Sequence, residues 1–430
     1  MFNGQMRDKG RSLVKQCRHR HLPRHARRDQ GGVQGATNGW RRAQALLHWS
    51  GVIYFDHNAT SPLSATARDA WLSASERFIG NPSSPHRLGA RAEVALSEAR
   101  EMAAAHLGCS PFDIVWTSGA TEANNALFFH LHKTSPDREV WISAIEHPSV
   151  IAAAQLWFGK NVRFLNVTRH GAFDLNHLAE QLNRRTPALV MIMAANNETG
   201  VLQPWSEAFD LCRARAVPFA CDAAQWIGKE PLRGLGCCDF VTTSAHKFGG
   251  PPGIGFIKAP KSFQPLLVGG PQEDRRRAGT ENVPSTLSMV AAWNEREGQI
   301  KGAGTKTRLQ WRDHFIAELK QRFPEIEIIG EQSPRLWNTV AALMPEAMDC
   351  RRRWVVQLDK LEFAVSTGSA CSSGKEKPSH VLTAMGCNAA KADRMLRFSS
   401  GWDTSEQDWR DLLKGIEAAA AELRINRTAR

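Results

Sequence analysis

Along most of this chain, short and wholly apolar runs alternate with longer segments whose apolar residues return at helical spacing, and each run ends in small or polar residues. Asp113-Ile114-Val115-Trp116 predicts a buried strand that leads through Thr117-Ser118-Gly119-Ala120-Thr121-Glu122 into a helix over 123–132. A strand over 139–143 delivers Glu146-His147-Pro148 and another helix, and a strand over 162–166 precedes a helix around 175–183. A strand over 189–194 ends in Asn196-Asn197-Glu198-Thr199-Gly200, and one over 217–221 delivers Asp222-Ala223-Ala224-Gln225. The run 240–243 enters Ser244-Ala245-His246-Lys247, and a Gly/Pro turn then leads into an apolar strand over 254–257. This order predicts an α/β fold with a mostly parallel central sheet and helices on both faces. The polar clusters at successive strand ends then belong to one crevice.

Both flanks of this core read differently. Val52 to Thr60 predicts a short strand and a polar turn, with Pro62 opening a helix. Gly80-Asn81-Pro82-Ser83-Ser84-Pro85-His86 is a turn of specified geometry before a helix over 88–107. Beyond Lys247, Gly269-Gly270-Pro271-Gln272-Glu273 begins a polar loop that ends in a helix over 283–297, and Gly302-Ala303-Gly304 predicts a hinge. From 305 the pattern is helix, strand (325–329), strand (339–343), helix, strand, then Ser366-Thr367-Gly368-Ser369-Ala370-Cys371-Ser372-Ser373-Gly374. The expected division is a basic, disordered extension over 1–50, a large domain over 51–300 whose first thirty residues can pack on the small domain, and a small α+β domain over 301–430 that carries the Cys371 loop.

Composition sharpens this. With 42% hydrophobic and 23% charged residues the chain is globular, and no apolar run approaches the roughly 18 to 20 residues that cross a bilayer, so no membrane partner is expected. The formal charge of +12 is concentrated in residues 1–50, where eleven Lys/Arg face two Asp. The body is close to neutral, which argues against a nucleic-acid partner. The tail has no apolar h-region and is not a secretory signal; its composition permits an organellar transit peptide, a binding arm or an upstream misassigned start. Nine cysteines without a C-x-x-C pair fit free thiols in a reducing, cytoplasmic compartment.

Candidate chemistry sits at the strand ends. Lys247, at the end of a buried strand and before a rigid turn, suits Schiff-base formation, although a surface lysine beside a Gly-rich turn gives the same pattern. Thr117 to Thr121 at a strand-to-helix junction offers a phosphate cradle, although helix capping alone would explain it. Asp222 could hold a heteroaromatic nitrogen protonated or could form a turn, and His147 could stack on a flat ring or be a structural histidine. Cys371 lies among Gly and Ser in a loop that leaves a thiol available. No His/Cys/Asp grouping has the spacing of a zinc site, so no catalytic metal is expected. Together the cradle, aspartate, histidine and lysine are the parts that hold pyridoxal 5′-phosphate.

On these motifs the chain resembles the class V aminotransferase family and, within it, the NifS/IscS-like cysteine desulfurases. The resemblance runs from Val52 to Trp409 and is carried by Gly80-Asn-Pro-Ser-Ser-Pro-His86, Thr117-Ser-Gly-Ala-Thr-Glu122, Asn196-Asn-Glu-Thr-Gly200, Ser244-Ala-His-Lys247, Arg277-Ala-Gly-Thr-Glu-Asn282 and Ser369-Ala-Cys-Ser-Ser373. It implies the type I fold of pyridoxal-phosphate enzymes. Lys247 would form the Schiff base, Asp222 would pair with the pyridinium nitrogen, Gln225 would bond the phenolic oxygen and His147 would stack on the ring. Ala120, Thr121, Ser244 and His246 would hold the phosphate, with Thr280 supplied by the partner subunit of a homodimer. Arg397, helped by Asn197, would clamp the substrate carboxylate.

The reaction implied converts L-cysteine to L-alanine, with sulfur captured as a persulfide on Cys371. The sulfur would pass to an acceptor such as an iron–sulfur scaffold or a tRNA-thiolating enzyme, and Cys371 could act as a transient iron–sulfur ligand. The chain departs from the family pattern at Gly250-Pro251-Pro252-Gly253, Gly401-Trp402 and Pro271, none of which carries the implied chemistry. The alternatives are a selenocysteine lyase, an aminotransferase of the same fold or a non-catalytic scaffold.

Overall fold

The computed structural model describes residues 51–232, 234–347, 349–368 and 378–425. The expected 1–50 extension and Cys371 with its neighbours lie outside the described residues. Among the described residues, twelve strands follow in chain order: β1 (Ile53–Tyr54), β2 (Ile114–Thr117), β3 (Val140–Ser143), β4 (Val162–Leu165), β5 (Leu189–Met193), β6 (Phe219–Asp222), β7 (Phe240–Ser244), β8 (Gly255–Lys258), β9 (Glu327–Ile328), β10 (Thr339–Leu343), β11 (Phe363–Ala364) and β12 (Met395–Ser399).

Seven strands form the central sheet, in the order β2-β8-β7-β6-β5-β3-β4. Only β8 runs antiparallel to its neighbours there, so β2, β3, β5, β6 and β7 all end along one edge. The wholly apolar runs of the sequence are explained by burial on both faces: in β5, Val190 and Ile192 pack into one apolar cluster while Leu189 and Met191 pack into another. A separate antiparallel sheet, β12-β10-β9, has its own core of Phe315, Trp354, Phe398 and Trp409, and Phe55, just after β1, joins it. β1 pairs in parallel with β11, and Asp56 bridges to Ser399.

Differences from the expected elements have local causes. The helix expected from Pro62 begins at Ala65, because the Ser64 hydroxyl accepts from the Ala67 N–H and so sets the start. The strand expected over 217–221 begins at Phe219, since the Val217 N–H is tied back to Cys212 O at 3.0 Å and Pro218 has no N–H to give. A helix at Trp205–Arg213, absent from the expected pattern, buries only Trp205, Ala208 and Cys212. Three buried positions on a short segment give a weak periodic signal.

One helix buttresses the site turn. In Val283–Lys301, fully buried Trp293 stacks on Phe256 of β8 at 5.5 Å and 13°, and Arg296 Nε donates to the Phe248 carbonyl one residue after Lys247 at 2.9 Å. Trp293→Ala should therefore cost about 3–5 kcal/mol, from lost burial plus the cavity left behind. Chemical denaturation would read this as a lower midpoint, with a much smaller shift for Trp293→Phe.

Candidate active site

The edge where the parallel strands end opens into a cavity of about 330 Å³. At one end of it, β2 passes through Thr117-Ser118-Gly119 into the helix Ala120–Thr134, whose N-cap is Gly119, with no side-chain cap. The first-turn N–H groups of that helix and its positive dipole end face the cavity beside the Ser244 hydroxyl, an arrangement that suits an anion. Gly119 is required here: its φ is +144°, and a Cβ would meet Ser244 Oγ at 3.2 Å. Gly255 is required as well, because a Cβ on it would lie 2.7 Å from Gly119 Cα and 2.3 Å from the Thr243 carbonyl oxygen. Glu122 braces this junction, accepting from Ser118 N–H at 2.8 Å and pairing with Arg277 at 2.8 Å.

At the other strand ends stand groups suited to a flat, nitrogen-bearing ring. Asp222 ends β6; its carboxylate accepts from Ala224 N–H at 3.0 Å and from Asn124 Nδ2 at 3.2 Å. His147 caps the helix Pro148–Phe158, where its Nδ1 accepts from the Ser149 N–H at 3.1 Å. An Nδ1 that accepts carries no proton, so the neutral ring holds its proton on Nε2. Burial keeps this ring's pKa below the ordinary histidine value, and Lys247 and His380 add to that against the opposing charge of Asp222. Beside it, Glu146 is wholly buried, and burial followed by Asp222 raises its pKa well above the ordinary carboxyl value.

Lys247 lies just past β7, its amine donating to the carbonyls of Asn58 at 2.9 Å and Ala59 at 2.8 Å. Burial brings this amine from its ordinary 10.5 down to about 8; Arg397 adds to the shift, while Asp222 and Asp56 oppose it. Burial, then Lys247, likewise brings His246 down to about 4. Arg397 on β12 is buried and ion-paired with Asp56 at 2.5 Å, and its Nη1 donates to the Asn197 carbonyl at 2.9 Å and the Gly368 carbonyl at 3.3 Å. Its Nε is buried without a partner among the described residues.

Nine of the residues singled out in the sequence line the one cavity: Ala120, Thr121, His147, Asn197, Asp222, Gln225, Ser244, His246 and Lys247. Arg397 reaches it through Asn197, whereas Thr280 is exposed and outside the lining. Cys371 lies outside the described residues. Among the described residues, no group of three or more His, Cys, Asp or Glu is placed to hold a metal, and no helix is long and apolar enough to cross a membrane.

Sequence reasoning missed Asp56, Asn58, Asn124 and Lys229. Lys229 is buried, and its amine donates to Asn58 Oδ1 at 3.2 Å and to Gln225 Oε1. Burial first, then Lys247 and Arg397, hold its pKa well below the ordinary lysine value. The available signal was its position four residues after Gln225 in Gln225-Trp226-Ile227-Gly228-Lys229, one helical turn on.

A lysine half neutral near pH 8 should react with acylating reagents along a pH curve with that midpoint, read by peptide mass spectrometry of the cofactor-free chain. Asp222→Asn should move the midpoint down and Arg397→Leu should move it up, because the first removes an anion and the second a cation. A midpoint at the ordinary lysine value would contradict this reading of the site.

Comparisons with known proteins agree with this geometry. A family model described as aminotransferase class-V matches residues 53–412. The chain is 38% identical over 359 residues to a cysteine desulfurase of Nostoc sp., covering 81% of this chain and 88% of the relative. It is 34% identical over 391 residues to the cysteine desulfurase IscS of Dictyoglomus turgidum, covering 86% and 95%. The X-ray structure of a NifS-like protein from Rickettsia africae superposes with a TM-score of 0.76 at 30% identity, covering 86% of this chain and 99% of that one. With its mostly parallel sheet and its lysine, aspartate and histidine at the strand ends, the chain belongs to the aminotransferase class-V family, among the NifS/IscS-like cysteine desulfurases.

Proposed function

We propose that this chain is a pyridoxal-phosphate-dependent cysteine desulfurase that converts L-cysteine to L-alanine. The observation that carries the reading is the convergence of Lys247, Asp222, His147 and an uncapped helix N-terminus on one cavity of about 330 Å³. The donors fit the group: N–H groups and hydroxyls for a phosphate, a carboxylate for a ring nitrogen, a neutral imidazole for a ring face and a low-pKa amine for an aldehyde. Ala120, Thr121, Ser244 and His246 would hold the phosphate, with Thr280 from a partner subunit, and Gln225 the phenolic oxygen. When bound, pyridoxal phosphate supplies an electron sink for charge at the substrate α-carbon.

The chain's own residues do the rest. Arg397, with Asn197, fixes the substrate carboxylate. Lys247, poised near neutrality once released, takes the α-proton and returns it. His147 covers the ring face and keeps water from it. Cys371, as thiolate, would attack the substrate sulfur; as the sulfur–sulfur bond forms the carbon–sulfur bond breaks, its electron pair stays on the β-carbon, which takes a proton, and alanine and an enzyme persulfide result. That sulfur passes to an acceptor for iron–sulfur cluster or thio-cofactor synthesis.

A homodimer fits the exposed apolar side chains Trp71, Leu72, Ile79, Leu88 and Val94 on and between two neighbouring helices. Unpaired thiols among the described cysteines fit a cytoplasmic setting.

The test is alanine and sulfide release from L-cysteine, with a reductant, by the wild type and Cys371→Ala. The wild type should show a visible cofactor band and turn over. The variant should keep the band and bind cysteine but lose sulfide release by at least about a hundredfold. Equal activity in the variant, or no alanine from the wild type, would overturn the proposal.

A further inference from the structure

Behind the cavity wall lies a side chain that the proposed chemistry leaves unused. Asn124, on the helix Ala120–Thr134, is fully buried and is not among the cavity-lining residues. Its amide touches three polar partners: Asp222 Oδ2 at 3.2 Å, Ser149 Oγ at 3.0 Å and Thr242 Oγ1 at 2.8 Å.

Hydrogen-bond capacity allows one arrangement of these contacts. An ionised carboxylate only accepts, so the atom facing Asp222 must be the Asn124 NH2 group. The amide oxygen then faces Thr242, whose hydroxyl must donate to it. The second N–H of the same NH2 goes to Ser149 Oγ. Having accepted there, the Ser149 hydroxyl turns its own proton to His147 Nδ1 at 2.9 Å, the atom that also accepts the Ser149 backbone N–H. Two donors aimed at Nδ1 leave the imidazole neutral, with its proton on Nε2.

We propose that Asn124, oriented by Thr242, is the positioning residue that sets Asp222 and His147 in complementary states: an acceptor oriented toward a ring N–H and a neutral imidazole with Nε2 protonated. The inference rests on the reading of the site as a pyridoxal-phosphate site. It explains why a polar residue is tolerated in a wholly buried position, since both N–H groups and the oxygen have partners. It also explains the placement of Thr242, which is paired in register with Asp222 across β6 and β7. The amide and the carboxylate are therefore both carried by regular secondary structure. A neutral His147 matters because an imidazolium stacked on a pyridinium would set two cations face to face.

Three variants at Asn124 and Thr242, two at Ser149 and His147, and two readouts test this in the full-length chain. Asn124→Leu removes the bridge, Thr242→Val frees the amide to rotate at nearly constant shape, and Thr242→Ser restores the hydroxyl. The first readout is the dissociation constant for pyridoxal 5′-phosphate, followed by its absorption band. Asn124→Leu should weaken binding about ten- to a hundredfold and Thr242→Val about three- to tenfold, with Thr242→Ser returning to near wild type. kcat should fall with binding, while KM for L-cysteine changes little.

The second readout needs no cofactor. In ¹⁵N-histidine-labelled chain, with His147 assigned by difference from His147→Gln, the wild type should show the neutral Nε2–H tautomer. Asn124→Leu and Ser149→Ala leave Nδ1 the Ser149 backbone N–H as its one firm donor, and should admit a minor population protonated at Nδ1 that the wild type lacks. If wild-type tautomer and cofactor affinity persist in both Asn124→Leu and Thr242→Val, with only the unfolding midpoint lowered, Asn124 is structural and the proposal falls. If Asn124→Leu fails to fold, Thr242→Val and its serine rescue decide. If the wild type does not bind the cofactor, the functional reading falls, and the tautomer measurement alone judges the network.

Discussion

One buried asparagine holds the site together. Asn58, in the turn after β1, is 1% exposed. Its carbonyl accepts from Lys247 Nζ at 2.9 Å and Gln225 Nε2 at 2.8 Å, and its Oδ1 accepts from Lys229 at 3.2 Å and Asn338 Nδ2 at 3.1 Å. Its Nδ2 donates to the Asn197 carbonyl at 3.2 Å and Thr339 Oγ1 at 2.9 Å, and its backbone N–H donates to Ser399 Oγ at 3.1 Å. Every polar atom of the residue is engaged, and the partners come from both the central sheet and the antiparallel sheet. A buried polar network of this kind specifies geometry because each unmade bond would cost its full desolvation penalty. The reactive lysine is thus placed by the N-terminal turn as much as by its own strand.

The electrostatic balance follows from the same crowding. Lys229, Lys247 and Arg397 press toward one region, while Asp56 is committed to Arg397 and burial favours the neutral acid at Glu146. Burial depresses both amines, and the mutual repulsion of the cations adds to it. Uncapped N–H groups and the Arg397 guanidinium are matched, under the proposed function, to ligands that carry anions: a phosphate at the helix N-terminus and a carboxylate at Arg397. The neutrality of His147 belongs to this balance, because a further cation there would add to the repulsion from Lys247 and His380.

Much of this was legible in the sequence, and what escaped has a common physical cause. Strand ends were readable because wholly buried parallel strands give uninterrupted apolar runs, so Asp222, Lys247 and the Thr117 to Thr121 junction stood out as polar residues at their ends. Gly119 at the junction and Gly255 at the start of β8 follow the same logic, since a positive φ at the first and backbone crowding at the second demand glycine. Asn58, Asn124 and Lys229 escaped because their roles are defined by partners up to 341 residues away in sequence, as in the Asn58–Ser399 bond, and no local pattern reports that. The strands expected within 52–60, over 325–329 and just before Ser366 are present but shortened to the two-residue β1, β9 and β11, because pairing, not propensity, sets their length.

Arg397 shows how the proposed carboxylate clamp is built on the fold. It sits on β12 opposite Ala341 of β10, so a rigid antiparallel ladder fixes its backbone. Its guanidinium spans Asp56 just after β1, Asn197 from the central-sheet edge and Gly368 at the last described position before the cysteine segment. One planar, permanently charged group therefore touches three separate parts of the chain, something a lysine's single point of charge would not do. Its Nε is buried and without a partner among the described residues. Under the proposed function an incoming carboxylate repays the desolvation of Nε, which would make Arg397 select for substrates that carry one.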